Sequence, residues 1–429
     1  MTRPSTHPVQ DGRVGDLATV TRLEGPVIAW SEHLSDLVAR MRRSSPMDIV
    51  VVIPEASRLT PAFDRLSQDA GLIVLVEEAD GYRQLRAGWY YPTLREAVEA
   101  ATAPRRRGPA SAPATTQEPP AAQAGARAGA PGAGAPSTDM TDMPDIMPDI
   151  SVDFLQPSQT VPHLLVSASM FQPARRSTSL GRTVELVVEH LLDKDAEISW
   201  GRYEPAGASW DRDALTTLSR RLMPKARVTL AAHSDHGIAC GTLTMLRTSS
   251  GVEEYTELVV APSALSLPSQ EQVSRSMGLL STLAVEARPQ FVLTARTYGH
   301  PDTSLPVTVR TPPTPLTLAI GAGGIHLLGL DPQTVADRHD GTVIGRGRKR
   351  GVAVPLDSGR PGDWTSLFAL LPTLDSQGRL HQVLRGTRAP AQPPAPGGTY
   401  PPGQPGTTGP GHTGRPGSQP GQAGGASAP

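Results

Sequence analysis

Two stretches of low-complexity sequence, residues 104–138 and 388–429, set the limits on what this chain folds into. Pro and Gly, 44 and 42 of the 429 residues, make up about a fifth of it against an average of roughly 12%, and the excess sits mainly in those two stretches. Such segments hold too little apolar side chain to offset the entropy of ordering them. The pattern therefore predicts five parts: a flexible arm over 1–16, a small domain over 17–102, a linker over 103–149, a larger domain over 150–387, and a disordered Pro/Gly-rich tail over 388–429. Within the linker, Asp142-Met-Pro-Asp145-Ile-Met-Pro-Asp149-Ile repeats an acidic and apolar theme. That composition suits a short adhesive stretch able to dock on its own protein or on a partner.

The small domain reads as parallel α/β. Ile49 to Ile53 is an unbroken apolar run of β-branched residues, as expected for a strand covered on both faces. Leu34, Leu37, Val38 and Met41 follow helical spacing behind a Ser31 cap. Thr60-Pro61 opens a second helix, Gly71–Glu77 is another buried strand, and Thr93 to Glu96 is a capping box. Alternation of strand and helix implies crossover connections in a parallel sheet. The larger domain reads as α+β with antiparallel hairpins. Its strand candidates Val228–Ala232, Ile238–Arg247 and Glu253–Val260 are separated by turns at Asp235-His-Gly237 and Ser249-Ser-Gly251. Helices are expected over Gly181–Lys194, after Ser209, from Ser269 to about Glu286, and from Asp331-Pro332.

Charge and residue usage narrow the function classes. Forty basic residues balance 41 acidic ones, for a net charge of −1. Non-specific nucleic-acid binders carry a basic excess because phosphate neutralisation supplies most of their affinity, so nucleic acid is disfavoured as a partner. One cysteine, Cys240, excludes an intrachain disulfide and a cysteine-built metal site. It sits in an expected strand, where a buried and unreactive thiol is the natural reading. The polar start and the lack of a long apolar run give a cytoplasmic protein without a membrane span as the expectation.

Candidate sites are few. Gly321-Ala-Gly323-Gly324 is a phosphate-loop lookalike that leads into Ile325 to Leu328, read as more strand, so a tight turn is the preferred reading. Two histidine clusters, His233 with Asp235 and His236, and His300 with Asp302, fall at loop ends where these residues favour turns. No metal site and no cofactor are expected. Two sites remain. Ser57 and Arg58 follow the most apolar strand, where open α/β sheets place ligands, and are candidates to bind an anion. Arg346, Arg348, Lys349 and Arg350 form the most basic window, a basic patch or a solvated hairpin.

Two blocks carry a family resemblance. The first spans Pro26-Val-Ile-Ala-Trp30, Leu34 to Leu37, and Asp48 to Thr60. The second comprises Trp200-Gly-Arg-Tyr-Glu-Pro205, Trp210-Asp-Arg, Leu215 to Arg221, and Thr248 to Glu254. Together they resemble an uncharacterised actinobacterial domain-of-unknown-function family often encoded beside type VII secretion genes. The resemblance implies a secretion-associated setting and brings no catalytic residue with it. The expected function is thus a non-enzymatic accessory or interaction protein with a protein partner, drawn from the secretion machinery or its substrates. An enzyme or nucleotide/anion-binding module is the alternative, and nucleic-acid binding through the basic window a weaker one.

Overall fold

The computed structural model describes residues 10–44, 47–106, 160–262, 269–308, 310 and 312–380. The low-complexity linker beyond residue 106, the Met-Pro-Asp segment and the tail lie outside them, as does most of the N-terminal arm.

A six-stranded sheet forms the first half, in the order β1-β2-β4-β6-β7-β8. Its strands are β1 (Gly12–Val14), β2 (Ala18–Arg22), β4 (Asp48–Pro54), β6 (Ile73–Glu78), β7 (Gly81–Gln84) and β8 (Tyr90–Tyr91). β2, β4 and β6 run parallel, and the others pair antiparallel. The apolar run of β4 is explained by its two faces. Ile49, Val51 and Ile53 pack with α1 (Glu32–Ser44) and α2 (Pro61–Asp69), through Leu34, Leu37, Met41, Phe63 and Leu66. Val50 and Val52 pack with Ala97 and Val98 of α3 (Leu94–Arg106). The caps read from sequence form: Ser31 Oγ accepts from the Leu34 amide, Thr60 Oγ1 from Phe63, and Thr93 Oγ1 from Glu96. The β6–β7 hairpin is pinned by Arg83, whose buried guanidinium binds both oxygens of Glu78 and the Gly88 carbonyl.

The second half is a ten-stranded, wholly antiparallel sheet. Its centre is the meander β12 (Lys225–Ser234), β13 (Gly237–Arg247) and β14 (Val252–Pro262). Next to β14 lies β9 (Val161–Gln172), followed by β15 (Pro289–Gly299), β17 (Thr314–Ile320), β19 (Lys349–Pro355) and β18 (Thr342–Arg346). On the other side of β12 stand β10 (Glu197–Gly201) and β11 (Ala208–Ser209). One face carries α4 (Arg182–Leu191), α5 (Arg212–Leu222) and α6 (Ser269–Glu286), whose Val184, Val187, Leu215, Leu279 and Leu283 meet Val166, Val228, Leu243 and Leu258. At the β15–β19 end the opposite face is covered by α7 (Ala322–Leu328), α8 (Pro332–Arg338) and α9 (Thr365–Leu374).

Three local expectations are corrected. Residues 322–328 are helix α7 rather than strand. Gly321 caps it because its backbone lies against the Pro289 carbonyl, where a Cβ would overlap. That close packing of chain on chain accounts for Gly321 and Gly324. The cap of α5 is Asp211, which accepts from the Asp213 and Ala214 amides, while Ser209 belongs to β11. Strand β9, absent from the expected elements, is central to the sheet. Its Ser167, Ala168 and Ser169 obscure the alternation that strands usually display.

Within the helix-covered face, Glu254 is fully buried and accepts from the Gly181 amide and the Thr183 hydroxyl at the start of α4. Burial pushes its pKa up, and the bonds to Gly181 and Thr183 oppose that shift. Removing this side chain strands two buried donors at a helix N-terminus. Glu254→Ala is predicted to cost about 3 kcal/mol or more in chemical denaturation, whereas Glu253→Ala on the opposite face changes stability by about 0.5 kcal/mol or less.

Candidate functional site

The two blocks of sequence that share a family resemblance meet in space. A third, three-stranded sheet joins the halves, with β5 (Arg58–Leu59) between β3 (Val27–Ile28) and β16 (Leu305–Pro306). Leu305 and Val307 thereby enter the core of the first half beside Ile28, Leu59 and Phe63. The Trp200 to Pro205 segment reaches the same place. The Glu204 amide donates to the Trp30 carbonyl at 2.9 Å, and its Oε2 accepts from the Trp30 amide at 2.7 Å and from Thr60 Oγ1 at 2.6 Å. Tyr203 donates its hydroxyl proton to Glu32 at 2.8 Å. Burial raises the pKa of Glu204, and the bonds from Thr60 and Trp30 pull it back.

Helix α2 adds a polar seam against the large sheet. Asp64 takes Arg86 and Arg310, Asp69 pairs with Arg227, and Arg65 reaches Glu257 at 3.1 Å while lying over the Tyr255 ring.

The proposed anion-binding pair sits inside this junction. Ser57 is buried, and its hydroxyl donates to the Gly25 carbonyl at 2.8 Å. Arg58 pairs with Asp302 at 2.9 Å, and Asp302 is in turn held by the Ser304 amide and hydroxyl. The structure thus spends these donors on the seam between the halves. Arg346, Arg348, Lys349 and Arg350 lie far along the chain from them, all exposed on the β18–β19 hairpin at the edge of the large sheet. Gly345 and Gly347 adopt positive φ at its turn. The sequence-predicted sites are therefore two separate places.

Of the histidine clusters, His236 pairs with Asp193 at 3.4 Å. Among the described residues no group of three or more His, Cys, Asp or Glu is arranged to hold a metal. Cys240 lies in β13 with its sulfur 2.9 Å from the Thr303 hydroxyl, and burial pushes its pKa up to about 12. At neutral pH it is a thiol, which is a poor nucleophile.

A cleft that sequence reasoning missed opens at the other end of the large sheet. Its volume is about 430 Å³. Leu180, Met223 and Val252 line it together with the arginines Arg175, Arg176, Arg220 and Arg247. The loop from Pro173 to Thr178 that forms one wall is fixed from within. Arg220 donates to the Arg176 and Thr178 carbonyls, at 2.6 and 3.1 Å, and the Thr178 hydroxyl closes on the Pro173 carbonyl. Arg175, Arg176 and Arg247 are exposed and form no ion pair among the described residues. Four guanidinium groups around an apolar floor suit an extended ligand that is both acidic and apolar. The doublet Arg175-Arg176 was visible in the sequence. Nothing local marked Arg220 and Arg247 as its neighbours, because three different elements bring them together.

Residues 163–376 match the family described as DUF6177, C-terminal domain. That stretch contains every residue of the cleft, and also Glu204. No curated protein matches the sequence. Among solved structures, the Pseudomonas aeruginosa T6SS protein PA0821 matches at 10% identity and a TM-score of 0.31, over 50% of this chain and 72% of that one. A likeness that slight assigns neither fold nor role. Among the described residues no helix is long and apolar enough to cross a membrane.

Two measurements follow from the junction and its neighbour His163. Thr60 Oγ1 both accepts from the α2 amide of Phe63 and donates to Glu204, so the two residues act as one unit. A double-mutant cycle of Glu204→Gln with Thr60→Val is expected to show a coupling of about 1–2 kcal/mol, and a coupling near zero contradicts the arrangement. His163 is buried, with Nε2 against the His300 carbonyl and Nδ1 without a hydrogen-bond partner among the described residues. Burial lowers its pKa to about 4. Because this folded value lies below the ordinary one of about 6.5, the unfolded chain binds more protons between the two. Stability from this group is therefore full above pH 6.5 and lost as pH falls towards 4. Denaturation curves of His163→Gln should show a shallower loss of stability over that window than the unsubstituted protein.

Proposed function

We propose that this is a non-enzymatic interaction protein that binds acidic, partly apolar protein segments in the arginine-rimmed cleft, as a cytoplasmic accessory factor of type VII secretion. The observation that carries the binding role is the cleft itself. Its exposed arginines Arg175, Arg176 and Arg247 form no ion pair among the described residues, and they surround a floor of Leu180, Met223 and Val252. Charge-assisted bonds to carboxylates would give the arginines their partners, while the floor takes the apolar side chains between them. The cleft's place inside the matched region 163–376 fits a role shared by the family. The type VII setting rests on the resemblance of the Trp30 and Trp200 blocks alone, and the cytoplasmic placement on the sequence.

The test is fluorescence anisotropy with a labelled peptide alternating Asp with Met and Ile. The protein should bind it, and an otherwise identical peptide with Asn for Asp should bind at least about tenfold more weakly, since each lost charge-assisted bond removes about 1.5 kcal/mol. The exposed triple variant Arg175→Glu/Arg176→Glu/Arg247→Glu should lose binding while keeping its fold by circular dichroism. Equal affinity in the variant and the parent protein would rule the cleft out.

A further inference from the structure

We infer that the cleft is occupied in the resting protein by the chain's own acidic segment around Asp139 to Asp145, which competes with outside ligands. This rests on the reading of the cleft as a site for acidic, apolar segments. The occupant is indicated by three things: its composition, its tether, and where that tether ends. Asp139-Met-Thr-Asp142-Met-Pro-Asp145-Ile-Met places a carboxylate at every third position, with methionine, threonine and proline between and Ile-Met after the last. That is the complement of the three exposed guanidinium groups of Arg175, Arg176 and Arg247 around Leu180, Met223 and Val252.

The tether decides which aspartates can take part. The segment is joined to the described fold through residue 160, just before β9 begins at Val161. The cleft lies at the far end of that strand, where Gln172 pairs with Val252. Twelve strand residues separate the two ends, a distance of roughly 40 Å at about 3.3 Å per residue. An extended chain running back from Val161 reaches at most about 29 Å at Asp153 and about 43 Å at Asp149. At Asp145 and Asp142 the limits are about 58 Å and about 68 Å. Asp153 therefore cannot reach the cleft, and Asp149 has almost no slack. Asp145, Asp142 and Asp139 reach it with length to spare. A tether of this length holds its segment at an effective concentration of about 1 mM. A segment with an intrinsic dissociation constant of about 0.1 mM would then weaken an outside ligand about tenfold.

The experiment titrates the labelled Asp/Met/Ile peptide into three forms of the full chain: unsubstituted, Asp139→Asn/Asp142→Asn/Asp145→Asn, and Asp153→Asn. The inference predicts that the triple variant binds about tenfold tighter than the parent, with Asp153→Asn unchanged. If all three bind equally, the own-segment occupant is overturned while the cleft reading stands. If none binds, the cleft reading falls and takes the inference with it. A tightening shared by Asp153→Asn would mean general charge repulsion, and would also overturn the inference. The direct check places a photo-cross-linking benzoylphenylalanine at Met143. Cross-links within one chain to the Pro173–Leu180 or Thr216–Met223 peptides support it, and cross-links to a second copy assign the segment to a neighbour and overturn occupancy in the same chain.

Discussion

The hydroxyl of Thr60 faces two ways, and the joining of the two sheets depends on it. It accepts the Phe63 amide at the first turn of α2, and it donates to the half-buried carboxylate of Glu204 from the other half of the chain. A helix N-terminus carries partial positive charge. Glu204 therefore places its negative charge where α2 can stabilise it, through the residue that caps the helix. The same carboxylate binds the Trp30 amide, while the Glu204 amide returns a bond to the Trp30 carbonyl. Around this point β5 pairs with β16, and Leu305 and Val307 are buried among residues of the first half. The seam continues along α2, where Arg65 and Asp69 meet Glu257 and Arg227 of the large sheet and Asp64 meets Arg310 from the connection before β17. Its specificity comes from ions and hydrogen bonds, and its cohesion from the shared core.

The seam lies on the sheet face that carries Tyr255 and Glu257, and the cleft opens at the end of the other, helix-covered face, where Leu180 and Val252 belong to the core. The Pro173–Thr178 loop leaves β9 beside Arg247 and Val252 and is braced by Arg220 from α5. Arg220 spends its donors on backbone carbonyls, so its role is to set the wall. Arg175, Arg176 and Arg247 are the groups left to meet a ligand. Rigid support beneath exposed cations is what a recognition site needs, because less ordering entropy is lost on binding.

The strands and helices were largely legible in the sequence, and the sites were not. The β4 run, the caps at Ser31, Thr60 and Thr93, and the meander over Val228–Val260 carry local signals that the structure repeats. β9 escaped because serine and alanine fill positions where a strand usually shows branched residues. The first turn of α7 escaped because three glycines read as a loop, although two of them, Gly321 and Gly324, serve close contact with Pro289 and Gln290. Ser57 and Arg58 were singled out by their place after a buried strand. That position proves to be the seam, where their donors bind Gly25 and Asp302. Glu204 gave only an indirect signal, as the acidic residue among Trp, Tyr and Pro in a block that resembled a family. Its partner block was equally visible, but the pairing of the two across about 170 residues has no periodicity to reveal it.

Through the Glu204–Thr60 junction both halves should open together. Native-state hydrogen exchange tests it most directly, by comparing junction amides with those of the sheet interior. The amides of Arg58, Thr60 and Glu204, bonded to Pro26, Ile28 and Trp30, should exchange with the same opening free energy as Leu243 in β13, in step with global unfolding. If they exchange at much lower free energy, together with β4 and β6 while β13 stays protected, the first half opens on its own and the account is wrong.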